Sequence, residues 1–177
     1  MAVNVRQLYR ISKAAAPDQP RITLVTGPNG GRYAAWPYGC VHVPGDLAQV
    51  ADEADGTYRM HPNGPGVARP LTSFGPGLVR RKMLPLLDEQ GREPAVLNPW
   101  MRQADDGDVH RLIDVPGGRV LVSEALLSVW VAALDPPMWR LTMSPHPIVW
   151  AATATSRASG LLLPIHPVFT FDPPEEP

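Results

Sequence analysis

Three cationic residues near the start of the chain are spaced for contact with an anionic polymer. Arg6, Arg10 and Lys13 recur at spacings of four and three within residues 5–15. This spacing predicts one face of a helix, and an apolar face is formed by Val5, Leu8, Ile11 and Ala15. A row of cations on a helix suits contact with a phosphate backbone without reading of the base sequence. The alternative is an ordinary solvated helix face.

The densest basic cluster in the chain lies near its middle, at Arg80, Arg81 and Lys82. This cluster could extend the cationic surface of the first helix. If it lies in a strand, alternation sends Arg81 to the opposite side from the other two. Since 16 Lys and Arg balance 17 Asp and Glu, any contact with nucleic acid must come from such local patches.

A cysteine and a histidine two positions apart could form a catalytic pair. Cys40 and His42 lie in an apolar run, and a strand would place them on the same face. The alternative is that Cys40 is a small buried hydrophobic residue. The chain shows no hydrolase or dehydrogenase signature, and the segment 27–31 lacks the Gly-Lys-Ser/Thr ending of a phosphate loop. We therefore expect a hairpin turn at 27–31 and a protein that is not an enzyme.

The residues that could bind a metal ion are scattered or wrongly spaced. None of the five histidines has a second ligand at the spacing of a zinc motif: His42, His61, His110, His146 and His166. Asp105, Asp106 and Asp108 could hold a hard cation such as calcium, but no glutamate follows at the spacing of a calcium loop. We expect a solvated turn there, and neither a metal nor a cofactor.

Periodicity and turn signals divide the chain into short elements. Asn4 is a candidate N-cap for the helix at 5–15, and Ser123 is one for a second helix at 124–134. Strands are predicted at 21–26, 32–37, 39–43, 138–143, 148–153 and 161–165. Between the two groups we expect a short helix within 45–55, a loop or ribbon at 61–77 and extra strands within 88–118.

Two units of a helix followed by strands predict an α+β fold with an internal duplication. We expect one domain over residues 1–170: a first unit at 3–60, a central insertion or linker at 61–118 and a second unit at 119–169. An acidic, proline-rich tail follows at 171–177. The chain contains neither an apolar leader nor an apolar run of membrane length, so a cytoplasmic location without a membrane partner is expected.

The second unit resembles the C-terminal unit of the bacterial β-type DNA polymerase sliding clamp. Residues 123–134 resemble its helix, residues 144–148 (SPHPI) its Ser-Pro-Val-like step, and residues 163–167 (LPIHP) stand in place of its Met-Pro-Met/Ile-Arg motif. More loosely, Thr26 followed by residues 30–34 (GGRYA) is similar to the Thr-Asp-Gly-x-Arg-Leu-Ala turn of these clamps.

The resemblance implies a processivity factor of DNA replication. Its helices at 5–15 and 123–134 would line a homo-oligomeric ring around duplex DNA, with binding independent of base sequence. Leu163, Pro164 and Ile165 would border an apolar groove for peptides of a polymerase or a clamp loader. The small size and the high proline and glycine content would suit a bacteriophage protein.

The alternative is a structural or assembly protein, a virion or scaffold component, or a clamp decoy that does not encircle DNA. In that case the tryptophans would include interface anchors: Trp36, Trp100, Trp130, Trp139 and Trp150. The helix at 124–134 favours this alternative in one respect. It carries Glu124 and Ser128 on its polar side and no cation, so it offers little attraction for DNA.

Overall fold

The fold combines helices with antiparallel strands, so the predicted α+β class is confirmed. The computed structural model describes residues 3–37, 39–69, 74–88, 93–94, 96–105, 107–115, 118–133, 139–142, 148–151 and 160–163. Within these ranges the helices are α1 (Val5–Ala15), α2 (Ala48–Ala51), α3 (Pro76–Lys82) and α4 (Glu124–Ala133), and a 3-10 helix covers Leu84–Asp88.

Twelve strands lie within the described residues. The first five are β1 (Arg21–Thr26), β2 (Arg32–Trp36), β3 (Gly39–Val43), β4 (Gly56–His61) and β5 (Gly64–Arg69). The central ones are β6 (Glu93–Pro94), β7 (Val96–Gln103), β8 (Val109–Val115) and β9 (Gly118–Ser123). The last three are β10 (Trp139–Thr142), β11 (Ile148–Ala151) and β12 (Gly160–Leu162).

Nine of these strands form one antiparallel sheet in the order β5-β4-β1-β2-β3-β12-β11-β10-β6, and β7-β8-β9 form a second sheet. The first and last parts of the chain meet where β3 pairs with β12, with Gly39 opposite Leu162 and Val41 opposite Gly160. From this seam, β3, β2 and β1 follow on one side and β12, β11 and β10 on the other. The strand order is thus mirrored about the seam.

The large sheet carries a core on each face, because its side chains alternate. On one face Leu24 and Val41 pack with Leu8 and Ile11 of α1 and with Leu126 of α4. The second sheet contributes to this core through Ile113, Val120 and Val122. On the other face Val25, Tyr33, Cys40 and Leu161 pack with Val79 and Met83 of α3 and with the 3-10 helix. Helices α1 and α4 therefore lie together on one face, and α3 lies on the opposite face.

The predicted N-caps are present and explain where both long helices begin. Asn4 Oδ1 accepts a hydrogen bond from the Gln7 backbone N–H at 3.0 Å, and Gln7 Oε1 accepts one from the Asn4 backbone N–H at 2.9 Å. This reciprocal pair satisfies two donors that a helix start leaves free. At α4, the Ser123 hydroxyl oxygen accepts from the Leu126 N–H at 3.4 Å.

The predicted hairpin turn at 27–31 is also confirmed. The Gly27 N–H donates to the Gly31 carbonyl at 2.8 Å, and Thr26 lies opposite Arg32 in the β1–β2 ladder. Gly30 has a φ of 76°, a left-handed backbone conformation that costs free energy in residues with a side chain. The extra strands expected within 88–118 are present as β6, β7 and β8.

The observed elements differ from the predicted ones mainly in extent. Residues 61–77 were predicted to form a loop or ribbon. Where the structure describes them, they belong to the β4–β5 hairpin and to the start of α3. Strands of the central segment join both sheets, since β5 and β6 occupy the edges of the large one. The helix within 45–55 is only the four-residue α2. The predicted strand ends at 152–153 and 164–165 lie outside the described residues.

Candidate nucleic-acid interface

The polar face of α1 presents an exposed row of three cations, as the sequence predicted. Arg6, Arg10 and Lys13 are exposed, whereas Leu8 and Ile11 on the opposite face are completely buried. None of the three cations forms an ion pair or a side-chain hydrogen bond within the described part of the chain. Their charge is therefore available to an anion in solution. We call this set the α1 cationic row.

Helix α4 packs beside α1 and adds no positive charge to this surface. Glu124, its first residue, accepts two hydrogen bonds from Arg111 of β8, Nε to Oε2 at 2.8 Å and Nη2 to Oε1 at 2.9 Å. The bonds to this carboxylate raise the pKa of the Arg111 guanidinium. Ser128 is exposed, and its hydroxyl donates to the Ala125 carbonyl at 3.2 Å. Since Arg111 neutralises Glu124, the α1 cationic row dominates the charge of the helix pair.

The second predicted cluster does not extend the α1 cationic row. Arg80, Arg81 and Lys82 form the last turn of α3, and α3 packs on the sheet face opposite α1. The segment is helical, so the alternation expected of a strand does not apply to it. Arg81 and Lys82 are exposed and form no ion pair with any described residue. The two cationic groups are therefore separate surfaces.

Arg80 is held in a network centred on one carboxylate. Asp55 forms ion pairs with Arg32 Nη1 and with Arg80 Nη2, and it accepts hydrogen bonds from the Thr26 N–H and hydroxyl, both at 3.0 Å to Oδ1. Arg80 Nε also donates to the Thr26 carbonyl at 3.3 Å. The network joins the end of β1, the start of β2, the start of β4 and helix α3. We call it the Asp55 clasp.

Arg32 is the buried member of the Asp55 clasp, with only 9% of its side chain exposed. Its Nη2 donates to the backbone carbonyls of Glu53 and Ala54, the latter at 3.0 Å. Burial lowers the pKa of the Arg32 guanidinium, and the nearby Tyr58 and Glu53 oppose this effect. The sequence placed Arg32 only in the clamp-like turn; an arginine at the start of an otherwise apolar strand was the signal for a buried structural cation.

The thiol of the candidate catalytic pair is not open to solvent. Cys40 is completely buried in the core on the α3 face. His42 is exposed on the same strand, and its ring meets Tyr33 edge-on, with the ring centroids 5.3 Å apart. A substrate in solution has no access to the buried thiol in this structure.

No metal site forms among the described residues. Where the structure describes the chain, no three His, Cys, Asp or Glu side chains come together. Asp105 and Asp108 belong to the β7–β8 turn, in which the Ala104 N–H donates to the Asp108 carbonyl at 2.7 Å. Asp106, His146 and His166 lie outside the described residues, while His42, His61 and His110 belong to β3, β4 and β8.

Only one residue of the predicted partner groove is described. Leu163 is partly buried and packs against the core on the α3 face. Pro164 and Ile165 lie outside the described residues, as do the tail at 171–177 and the 144–147 part of the clamp-like step. Among the helices that the structure describes, none combines the length and the apolar character needed to cross a membrane.

Exposed large apolar side chains are concentrated on the β7–β8 hairpin, which the sequence foresaw only in part. Of the six exposed large apolar side chains that the structure describes, five lie here: Val96, Leu97, Trp100, Met101 and Val109. The sixth, Val67, lies on the edge strand β5. The sequence named Trp100 as one of five possible interface anchors, and it is 43% exposed. We call these five residues the apolar ribbon.

The apolar ribbon is held by a polar network at an irregularity of β7. The ladder with β8 shifts between Leu97 and Met101, so three residues of β7 face one of β8. Asn98 Nδ2 donates to Asp114 at 2.8 Å, and the Trp100 N–H donates to Asn98 Oδ1 at 2.9 Å. Such a bulge redirects side chains, and Asn98 is the one buried residue of β7 beside it. The side chains of Trp130, Trp139 and Trp150 lie outside the described set.

Comparisons of the chain with protein-family models, with curated proteins and with solved structures found no match.

Proposed function

We propose that this protein is a clamp-like accessory factor of DNA replication. Copies of the chain form a ring around duplex DNA, with the α1 cationic row facing the phosphate backbone, and the ring tethers a polymerase. The observation that carries the proposal is the α1 cationic row itself, three exposed cations without ion-pair partners in the described structure. Contact through phosphates alone gives binding that is independent of sequence and sensitive to salt.

Two features of the fold support a duplicated, clamp-like arrangement. Helices α1 and α4 pack side by side on one face of the large sheet. The strands that follow each helix enter the sheet in mirrored order about the β3–β12 seam. A two-fold relation between the units α1-β1-β2-β3 and α4-β10-β11-β12 accounts for both features. The proposed partner groove, with Leu163, Pro164 and Ile165 at its border, follows the last of these strands.

The test is retention on DNA that has no ends. Mass is measured by light scattering with closed circular DNA and with the same DNA linearised, at low and at high salt. The expected result is an oligomer that stays on circles and slides off linear DNA. The triple variant Arg6→Ala/Arg10→Ala/Lys13→Ala should keep its oligomeric mass and lose retention on circles, because the attraction to phosphate is removed.

The chain offers a control on the opposite face of the sheet. Arg81 and Lys82 are exposed cations like those of the α1 cationic row, but they belong to α3. The variant Arg81→Ala/Lys82→Ala should retain circular DNA almost unchanged. Equal losses in the two variants would place DNA on both faces and contradict a ring whose interior is formed by α1. A monomer that ignores DNA would reject the function altogether.

The second candidate is an assembly protein, and the apolar ribbon favours it. Clustered exposed apolar residues on one hairpin are typical of a protein-binding surface. This candidate, like a clamp decoy, predicts an oligomer or complex whose mass does not depend on DNA. Trp100→Ser/Met101→Ser should then reduce the mass in solution, whereas Val67→Ser on β5 should not. Retention on circles that survives Trp100→Ser/Met101→Ser would favour the clamp.

A further inference from the structure

Two arginines lie directly opposite each other on neighbouring strands of the large sheet. Arg21 of β1 pairs with Arg59 of β4 in the antiparallel ladder. The next pair, Ile22 with Tyr58, is buried on the α1 face, so alternation places both arginines on the face of α3. Residues opposite each other in such a ladder have their Cβ atoms about 5 Å apart.

No carboxylate of the described structure compensates this pair. Arg21 is partly buried and Arg59 is exposed, and neither forms an ion pair or a side-chain hydrogen bond there. Like charges directly opposite each other destabilise a ladder. An anion bound between the two guanidinium groups would turn this repulsion into attraction. Two arginines that face each other without a carboxylate therefore suit an anion with close to two negative charges.

A cleft opens beside Arg21, between the end of α1 and the start of β1. Its volume is about 210 Å³, and its walls are mainly apolar, including Ala35, Pro37 and Phe74. Such a space suits a ring-sized group and not a whole polymer. Arg21 lines the cleft, so a cationic group lies beside its apolar walls.

The polar groups at the base of the cleft are hydrogen-bonded to one another. The hydroxyls of Thr23 and Thr57, also directly opposite in the β1–β4 ladder, lie 3.0 Å apart. Both hydroxyls also lie within hydrogen-bonding distance of the Phe74 carbonyl, at 3.1 Å and 3.4 Å, so one can donate to that carbonyl while the other donates to its hydroxyl neighbour. These bonds hold Phe74 at the side of the cleft, next to the ladder position of the arginines. The threonine hydroxyls are therefore occupied, and the guanidinium groups remain for the ligand.

We propose that this site binds a phosphate monoester with an apolar, ring-sized body. Arg21 and Arg59 bind the phosphate from two sides, and the body enters the cleft against Phe74 and Pro37. Guanidinium groups bind phosphate oxygens in a bidentate manner, and a phosphate monoester carries nearly two negative charges to match two arginines. The two arginines lie on the sheet face opposite α1, and α1 borders the cleft only through Ala15 and Ala16, so the site uses residues separate from the α1 cationic row.

Calorimetric titration with phenyl phosphate tests the proposal on the whole chain. Inorganic phosphate, benzoate and benzyl alcohol serve as comparison ligands, since each lacks one part of the proposed chemistry. Phenyl phosphate should bind most tightly, inorganic phosphate more weakly because it leaves the cleft empty, and benzyl alcohol least. Benzoate binding as tightly as phenyl phosphate would overturn the assignment to phosphate. Absence of phenyl phosphate binding would overturn the site.

Arg21→Gln and Arg59→Gln should each weaken phenyl phosphate binding by about tenfold or more, because each removes one charge-assisted contact. The matched control is Lys82→Gln, which removes an exposed cation elsewhere on the same face and should leave binding unchanged. Equal weakening by the control would show general attraction to positive charge and contradict the site.

Thermal unfolding gives a second readout that does not depend on tight binding. Without ligand and at low salt, Arg59→Gln should unfold at the same or a higher temperature than the natural chain, since it removes repulsion. Phenyl phosphate should raise the unfolding temperature of the natural chain, and at the same concentration it should raise that of Arg59→Gln by much less. A lower unfolding temperature for Arg59→Gln than for Lys82→Gln would contradict uncompensated repulsion between the arginines.

Discussion

Arg111 of β8 and Glu124 of α4 form a two-point ion pair, with N–O distances of 2.8 Å and 2.9 Å. Their side chains are 22% and 27% exposed, so the pair is only partly screened by water. It fixes the first turn of α4 to the three-stranded sheet. Since α4 lies beside α1, the pair also helps to position the surface that we propose faces DNA.

Arg111→Gln should lower the free energy of unfolding by about 1 kcal/mol, because a bidentate, partly buried pair exceeds an ordinary surface pair. Urea unfolding measures the change. Arg81→Gln, at an exposed arginine without a partner in the described structure, should change stability by less than about 0.5 kcal/mol. In the double variant Arg111→Gln/Glu124→Gln, the loss in free energy of unfolding should be smaller than the sum of the two single losses. A loss equal to that sum would mean that the two residues are not coupled.

Gly39→Ala should destabilise the seam between β3 and β12. A Cβ atom at Gly39 would lie 2.5 Å from the Leu161 carbonyl oxygen and 2.8 Å from Trp36 Cζ2. Because the carbonyl belongs to the backbone, relief requires the strands to separate, and we expect a loss of roughly 1–3 kcal/mol or more. Thermal or urea unfolding measures it.

Gly77→Ala is the matched control for Gly39→Ala and should have the opposite sign. A Cβ at Gly77 has no neighbouring atom within 4 Å in the described structure, and the residue lies in α3. Alanine favours the helix, so a gain of about 0.5 kcal/mol is expected. Similar losses at both glycines would mean that close packing at the seam is not the cause.

Asp55→Asn should cost more stability than Arg80→Ala, although both disrupt the Asp55 clasp. Asp55→Asn leaves the buried Arg32 guanidinium without its carboxylate, which costs about 3 kcal/mol in comparable buried pairs. Arg80 is 47% exposed, so its loss should cost no more than about 1 kcal/mol. Urea unfolding of both variants ranks the two effects. The reverse order would show that Arg80, and not Arg32, is the arginine that depends on Asp55.

Trp36→Phe should be unusually well tolerated for a completely buried tryptophan. Its indole Nε1 is buried and has no hydrogen-bond partner among the described residues, which costs free energy in the folded state. Phenylalanine removes that donor and leaves a small cavity, so the two effects offset, and we expect a change of less than about 1 kcal/mol. Leu24→Ala, in the same core, should cost about 2–5 kcal/mol. Equal costs would mean that the indole N–H is satisfied in solution.

Local features of this fold were predictable because neighbouring residues determine them. Asn4 and Ser123 each cap a helix start with their own side chain, and the turn at 27–31 follows from its glycines. Apolar spacing also gave the correct buried face of α1, with Leu8 and Ile11 inward. These signals depend only on residues that are close in sequence, so they can be recognised without knowledge of the tertiary fold.

Features that depend on distant residues were not predictable. The sequence shows Arg80, Arg81 and Lys82 as a cluster, but not that α3 packs on the face opposite α1. The pairing of Arg32 with Asp55 and the register of Arg21 with Arg59 join separate elements. Strand register across such distances follows from the packing of the whole sheet, which no local pattern encodes.

The β3–β12 seam has a consequence for how the protein is made. Gly39 and Leu162 meet across it, although more than a hundred residues separate them in the chain. A ribosome that has just released β3 has not yet begun to synthesise β12. The nascent chain therefore exposes one edge of β3, including Cys40, until β12 has been translated. Such a delay slows folding and leaves an open strand edge that favours aggregation, so yield in cells should depend on translation speed and on chaperones.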